Sequence, residues 1–216
     1  MAKRLPGDQP NPPHLKAYIR DLLNIEKRLV ICAGLPSTGK TKKAIECGME
    51  LVRRGHFEKV VYIRPYLDLR CGFLPGTLEE KMSPYTIQAE SYGEACTQRK
   101  FSEMRDKVEV CPTDVLQGRR FSRCFVIIDE SQNIHESEAF TILSRMGEEC
   151  KYVVIGDVHP GQANKKIGRK NLLSYCLNKF PNDEDIASHT FYEKEHILGD
   201  PFTKKVISLL LDDFAA

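Results

Sequence analysis

The chain has 216 residues, of which 41% are hydrophobic and 29% charged, and its 32 basic and 30 acidic side chains leave a net charge of +2. That length suits one domain able to bury a full core, and so even a balance excludes polyanion binding through bulk positive charge; any such contact needs a local patch. The eight cysteines form no C-x-x-C pair, several lie in apolar runs, and MAKRLPGDQPNPPHLK at the N-terminus has no apolar h-region, which predicts free thiols in a cytoplasmic protein without a membrane span rather than zinc or disulfide chemistry.

Four prolines in residues 1–13 predict an extended lead-in, and HLKAYIRDLLN then predicts a helix. LVICA (29–33) is a short apolar run of the kind buried on both faces of a parallel sheet, and VVYI (60–63), CFVII (124–128) and YVVI (152–155) repeat it. Helices are predicted over 41–54, where Ala44, Ile45, Gly48, Met49 and Val52 share a face, and over 136–146, where Ala139, Phe140, Leu143 and Met146 do. The polar stretch 72–107 carries no clear strand and predicts a helical insertion. Strands alternating with amphipathic helices imply one α/β domain over 14–216, a mostly parallel sheet with helices on both faces.

Two strand ends carry the chemistry. GLPSTGKT, Gly34 to Thr41, fits G-x-x-x-x-G-K-[ST] between an apolar strand and an amphipathic helix, the context that motif requires. Gly34, Leu35, Pro36, Ser37, Thr38 and Gly39 form a loop in which Gly34 and Gly39 are expected to supply the backbone conformations that turn its N–H groups toward phosphate oxygens, at the positive end of the next helix. Lys40 is expected to reach the β- and γ-phosphates, and Thr41 to bind Mg²⁺. CFVIIDESQN (124–133) ends a strand in two carboxylates at the sheet edge where ligands bind in open α/β folds. Asp129 is expected to hold Mg²⁺, and Glu130 to orient or deprotonate the attacking water; acidic capping of the following helix is the blander alternative. Asp157, closing VVIGD, is either a sensor of the γ-phosphate or part of a simple Gly-Asp turn.

With these residues in place the chain resembles the PhoH-like ATPases, whose core is similar to the first RecA-type domain of superfamily 1 helicases. IRP (63–65), GFLPGTLEEKMSPY (72–85), GRRF (118–121), IIDESQN (127–133) and VIGD (154–157) occur in that family's order and spacing. The resemblance implies a single RecA-like P-loop domain, Mg²⁺-dependent ATP hydrolysis, self-assembly into a ring with hexamers favoured, and involvement with RNA or another single strand. It matches Gln132 to a glutamine on the γ-phosphate side, and Asp157 and Arg119 to further motif positions. It also brings departures. Pro160 stands where related motifs continue with glutamine, with Gln162 two residues on; Gly199 stands where relatives carry arginine; Leu15 lies near the place of a base-reading glutamine.

Nucleic-acid contacts, if made, fall to the basic runs NKKIGRKN (164–171) and GRRFSR (118–123), each of which also reads as a solvated face. Two other functions fit the motifs: a nucleotide-gated assembly module with negligible turnover, and a small nucleoside kinase, though the latter normally carries cysteine pairs that this chain lacks.

Overall fold

The structure, a computed structural model, describes residues 12–65, 105–116, 118–159 and 166–212, together with Ile87. Most of the Pro-rich lead-in lies outside the described residues, as do Pro160 and Gln162 and the insertion expected over 72–107, apart from Ile87 and the single 3₁₀ turn Arg105–Lys107.

Among the described residues six strands form one sheet: β1 (Leu29–Gly34), β2 (Lys59–Arg64), β3 (Val108–Pro112), β4 (Cys124–Ile128), β5 (Lys151–Gly156) and β6 (Ile186–Phe191), in the order β3-β2-β4-β5-β1-β6. Every pairing is parallel. The fold is therefore the expected α/β, RecA-like sheet. The four apolar runs became the inner strands because a strand covered on both faces must be apolar on both faces. The two edge strands carry mixed sequences, VEVCP and IASHTF, and gave no such signal.

Strict alternation divides the core. Val30 and Cys32 of β1 join one buried cluster with Leu15, Tyr18, Ile45 and Met49; these come from α1 (Pro13–Leu23) and α2 (Lys40–Arg53). Leu29, Ile31 and Ala33 face the other cluster, with Ile134, Ile142, Leu172 and Leu173, supplied by the segment ending in α3 (Ala139–Leu143) and by α4 (Leu172–Lys179). A final helix, α5 (Pro201–Asp212), leaves Phe202, Val206, Leu209 and Leu210 exposed. Among the described residues no helix is long and apolar enough to cross a membrane. Cys32, Cys47, Cys111, Cys124, Cys150 and Cys176 are buried free thiols, as expected.

Two local expectations are corrected. Pro13, assigned to the extended lead-in, opens α1; its fixed φ and missing N–H cost nothing in the first helical turn. The helix expected over 136–146 is a 3₁₀ turn, Glu136–Glu138, followed by the five residues of α3. The tighter turn changes the phase, so Ala139 and Ile142 point inward and Phe140 is 84% exposed.

Lys151 shows how the sheet holds its first helix. It is fully buried, and its Nζ donates to the carbonyls of Asp21 and Asn24, both at 2.7 Å, at the end of α1. Burial pushes its ammonium from 10.5 down to about 7. Above about pH 7 the folded chain holds a neutral amine while the unfolded chain keeps it charged. The unfolded state then binds more protons, so this residue makes stability rise from about pH 7 to about pH 10, by at most about 1.4 kcal/mol per pH unit. Lys151→Met is expected to flatten that rise. Urea unfolding of both proteins across the window checks it, and equal slopes would mean that the buried amine stays charged.

Candidate functional site

The carboxyl ends of β1, β4 and β5 surround a cleft of about 510 Å³. Its walls include Gly34, Pro36 to Lys42, Asp129, Glu130, Gln132, Gly156 and Asp157, closed by Leu198 and Gly199 before α5. Of the motif residues singled out in the sequence, Leu15, Leu35 and Arg119 do not line it. The Leu35 side chain is buried in the core, and Arg119 pairs with Glu109 on β3.

The loop is shaped by contacts on both sides. Leu35 N–H donates to Phe191 O at 2.9 Å, and Leu198 N–H to Ser37 O at 2.8 Å. Gly34 was expected to supply an unusual backbone conformation, but its reason is space: a Cβ there would lie 2.6 Å from Phe191 O. The left-handed turns fall instead on Ser37 (φ 59) and Gly39 (φ 88), and only the second position holds the residue that adopts them without strain. Leu198 and Leu15 pack their side chains against the place a Gly39 Cβ would occupy, so both buttress the loop.

Lys40 lies across the loop, its Nζ donating to Gly34 O at 2.7 Å, Leu35 O at 2.6 Å and Thr38 Oγ1 at 3.1 Å. Burial lowers its pKa, and the charges around it, those of Asp157, Asp129 and Glu130 included, work in the opposite direction. An ammonium held by three neutral oxygens can exchange them for phosphate oxygens without new desolvation.

Opposite the lysine, Thr41 Oγ1 lies 3.2 Å from Asp129 Oδ1. The Glu130 N–H donates to the same Oδ1 at 3.0 Å, and the Tyr62 hydroxyl to Oδ2 at 2.6 Å. Glu130 sits in the left-handed region, φ 52 and ψ 36. Both its oxygens are engaged: Arg64 Nη2 donates to Oε1 at 3.3 Å and Gln132 Nε2 to Oε2 at 2.7 Å. Gln132 is a bridge, because its Oε1 accepts the Asp157 N–H at 3.1 Å. Burial raises the pKa of Glu130, with Asp129 adding to it, and burial likewise raises that of Asp157.

This donor set suits a magnesium–nucleotide pair. Hydroxyl and carboxylate oxygens are hard ligands of the kind Mg²⁺ takes alongside its waters. A lysine beside a turn of N–H groups at a helix N-terminus suits phosphates. Thr41 and Asp129 would hold the metal; the loop and Lys40 would hold the phosphates.

Sequence reasoning missed Tyr62, Arg64 as a partner of Glu130, and Leu198. For Tyr62 a signal existed, since the hydroxyl of a buried tyrosine usually finds a hydrogen-bond partner.

Comparison with known proteins gives a family model, described as PhoH-like protein, that matches residues 9–210. The chain is 29% identical over 188 residues to Protein PhoH of Escherichia coli (strain K12), covering 83% of this chain and 52% of that one. It is 32% identical over 186 residues to PhoH-like protein of Bacillus subtilis (strain 168), covering 83% and 57%. It is 29% identical over 199 residues to Protein PhoH2 of Thermobispora bispora, covering 88% and 44%. The chain thus spans about half the length of the curated relatives it matches.

Proposed function

Because the chain belongs to the PhoH-like family, we propose that it binds ATP with Mg²⁺ and hydrolyses it, as one subunit of a ring that acts on single-stranded RNA or DNA. The observation that carries the nucleotide part is the Thr41–Asp129 contact of 3.2 Å inside a cleft walled by the phosphate loop. Bound Mg²⁺ would neutralise charge on the phosphates. Within that reading Lys40 leaves its own loop carbonyls for the β/γ-phosphate oxygens. Asp129 and Thr41 hold the metal's side of the site. Glu130, released from Arg64 or Gln132, accepts the proton of the attacking water, and burial suits it to that by raising its pKa. Gln132 and Asp157 line the γ-phosphate end.

A second reading has an observation of its own. With both Glu130 oxygens bonded to the protein, the site also suits an assembly module that binds nucleotide and turns it over negligibly.

Support for self-association comes from α5. Phe202, Val206 and Leu209 recur at helical spacing and are 73%, 38% and 57% exposed, and apolar stripes of this kind mark contact surfaces. The helix starts beside Gly199 of the cleft. For nucleic acid, Lys166, Arg169 and Lys170 are exposed in the turn before α4, and a ring would repeat them.

Lys40→Ala is expected to abolish tight Mg²⁺·ATP binding, and Glu130→Gln to keep ATP bound while slowing hydrolysis about 10²-fold or more. Nucleotide binding and phosphate release measured on both variants check this. Normal affinity in Lys40→Ala removes the nucleotide reading. Absence of turnover in the wild type under every condition, with single strands present, selects the assembly module.

Sedimentation is expected to give a particle several times the 24.6 kDa subunit mass, and RNA affinity is expected to fall steeply with salt. A monomer with and without ATP defeats the ring. Affinity indifferent to salt defeats the basic patch.

A further inference from the structure

We propose that Tyr62 is a positioning residue: its hydroxyl fixes the Asp129 carboxylate so that one oxygen stays turned toward Thr41 and the metal. The inference rests on the reading of the cleft as a Mg²⁺–nucleotide site, and goes beyond it in assigning the residue that orients the metal's carboxylate.

The arrangement follows from strand register. β2 and β4 are neighbours in which Tyr62 pairs with Ile127 and Ile63 with Ile128. Asp129 is the first residue past β4, and its N–H donates to Ile63 O at 2.9 Å. The backbone of β2 therefore holds the Asp129 main chain, and the side chain one residue earlier reaches its carboxylate. At 2.6 Å the Tyr62–Asp129 bond is short, as hydroxyl-to-carboxylate bonds are.

Three donors sort the two oxygens. Oδ2 accepts from Tyr62, its only hydrogen bond among the described residues, and faces the core. Oδ1 accepts from Thr41 Oγ1 and from the Glu130 N–H, and faces the cleft. Carboxylate torsions of aspartate are otherwise broad and roughly two-fold. Remove the phenol hydroxyl and a carboxylate only 4% exposed loses its core-side partner, leaving its plane free to turn. The alternative view, that Tyr62 is a core aromatic, accounts for the ring and not for the hydroxyl, since a phenylalanine would fill a fully buried strand position without a polar group to satisfy. The Arg64 guanidinium lies beside the same hydroxyl and also bonds Glu130, which ties the end of β2 to both acids.

Partners of this kind, which orient a metal's ligand without touching the metal, are typically worth about 10–100-fold in metal affinity. The test is Tyr62→Phe, which keeps the ring. Binding of a fluorescent ATP analogue is titrated with Mg²⁺, and repeated in EDTA. The expected result is a Mg²⁺ midpoint raised about 10–100-fold, with affinity in EDTA unchanged within about two-fold. An unchanged midpoint in folded Tyr62→Phe overturns the role while leaving the nucleotide site standing; a wild type whose binding ignores Mg²⁺ overturns both. The second comparison is Asp129→Ala against Asp129→Ala/Tyr62→Phe, which removes every acceptor through which the tyrosine would act, leaves no buried charge unpaired and decides the matter even where the single variant fails to fold. Equal midpoints in that pair are expected, because the tyrosine acts through the carboxylate. A further shift on adding Tyr62→Phe shows an action through packing and overturns the proposal.

Discussion

One constraint governs the molecule: every described strand runs the same way. A parallel register needs a crossover after each strand, so strand exits collect at one sheet edge and strand entries at the other. Gly34, Asp129 and Gly156 stand at such exits and meet around a single cleft, although more than a hundred residues separate the first from the last. Lys151, at a strand entry, faces the opposite end of the sheet and is spent on holding a helix. The direction of the chain thus decides which polar residues meet one another and which serve the core.

At the exit edge the problem is to keep several charges together under burial. Asp129, Glu130, Asp157 and Lys40 all line one cleft. The protein meets this with a lattice of named donors, the Tyr62 hydroxyl, the Arg64 guanidinium, the Gln132 amide and two backbone N–H groups. Buried polar networks of this sort favour order when complete and are costly when broken. Gln132 is central, since one amide spans the ends of β4 and β5. The result is a set of side chains held by one another, of which Lys40 and Glu130 would have to change partners when a ligand binds.

Much of this was legible in the sequence, for identifiable reasons. The inner strands announced themselves because burial on both faces leaves no polar position to confuse the pattern, and the phosphate loop because its glycines and lysine occupy fixed offsets. The edge strands VEVCP and IASHTF did not, since a strand with one unpaired side tolerates glutamate, serine and histidine. Phe140 was assigned to the wrong face because a 3₁₀ turn, which period counting cannot see, shifted the phase. Gly34 was read as a conformational requirement when the real demand was the nearness of β6, a long-range fact that no local pattern carries. Tyr62 was hidden by its own neighbours: in VVYI it reads as one more hydrophobe.

The left-handed backbone of Glu130 has a practical meaning for anyone altering this protein. A side chain at φ 52 works against local steric preference, and glycine or asparagine would sit there with less strain. Either exchange relieves that strain but deletes the cleft carboxyl that accepts from Arg64 and Gln132, taking an acceptor from both. At this position backbone relief and lost hydrogen bonds therefore pull stability in opposite directions, and an unchanged melting temperature is no guide to whether the cleft carboxyl is still there.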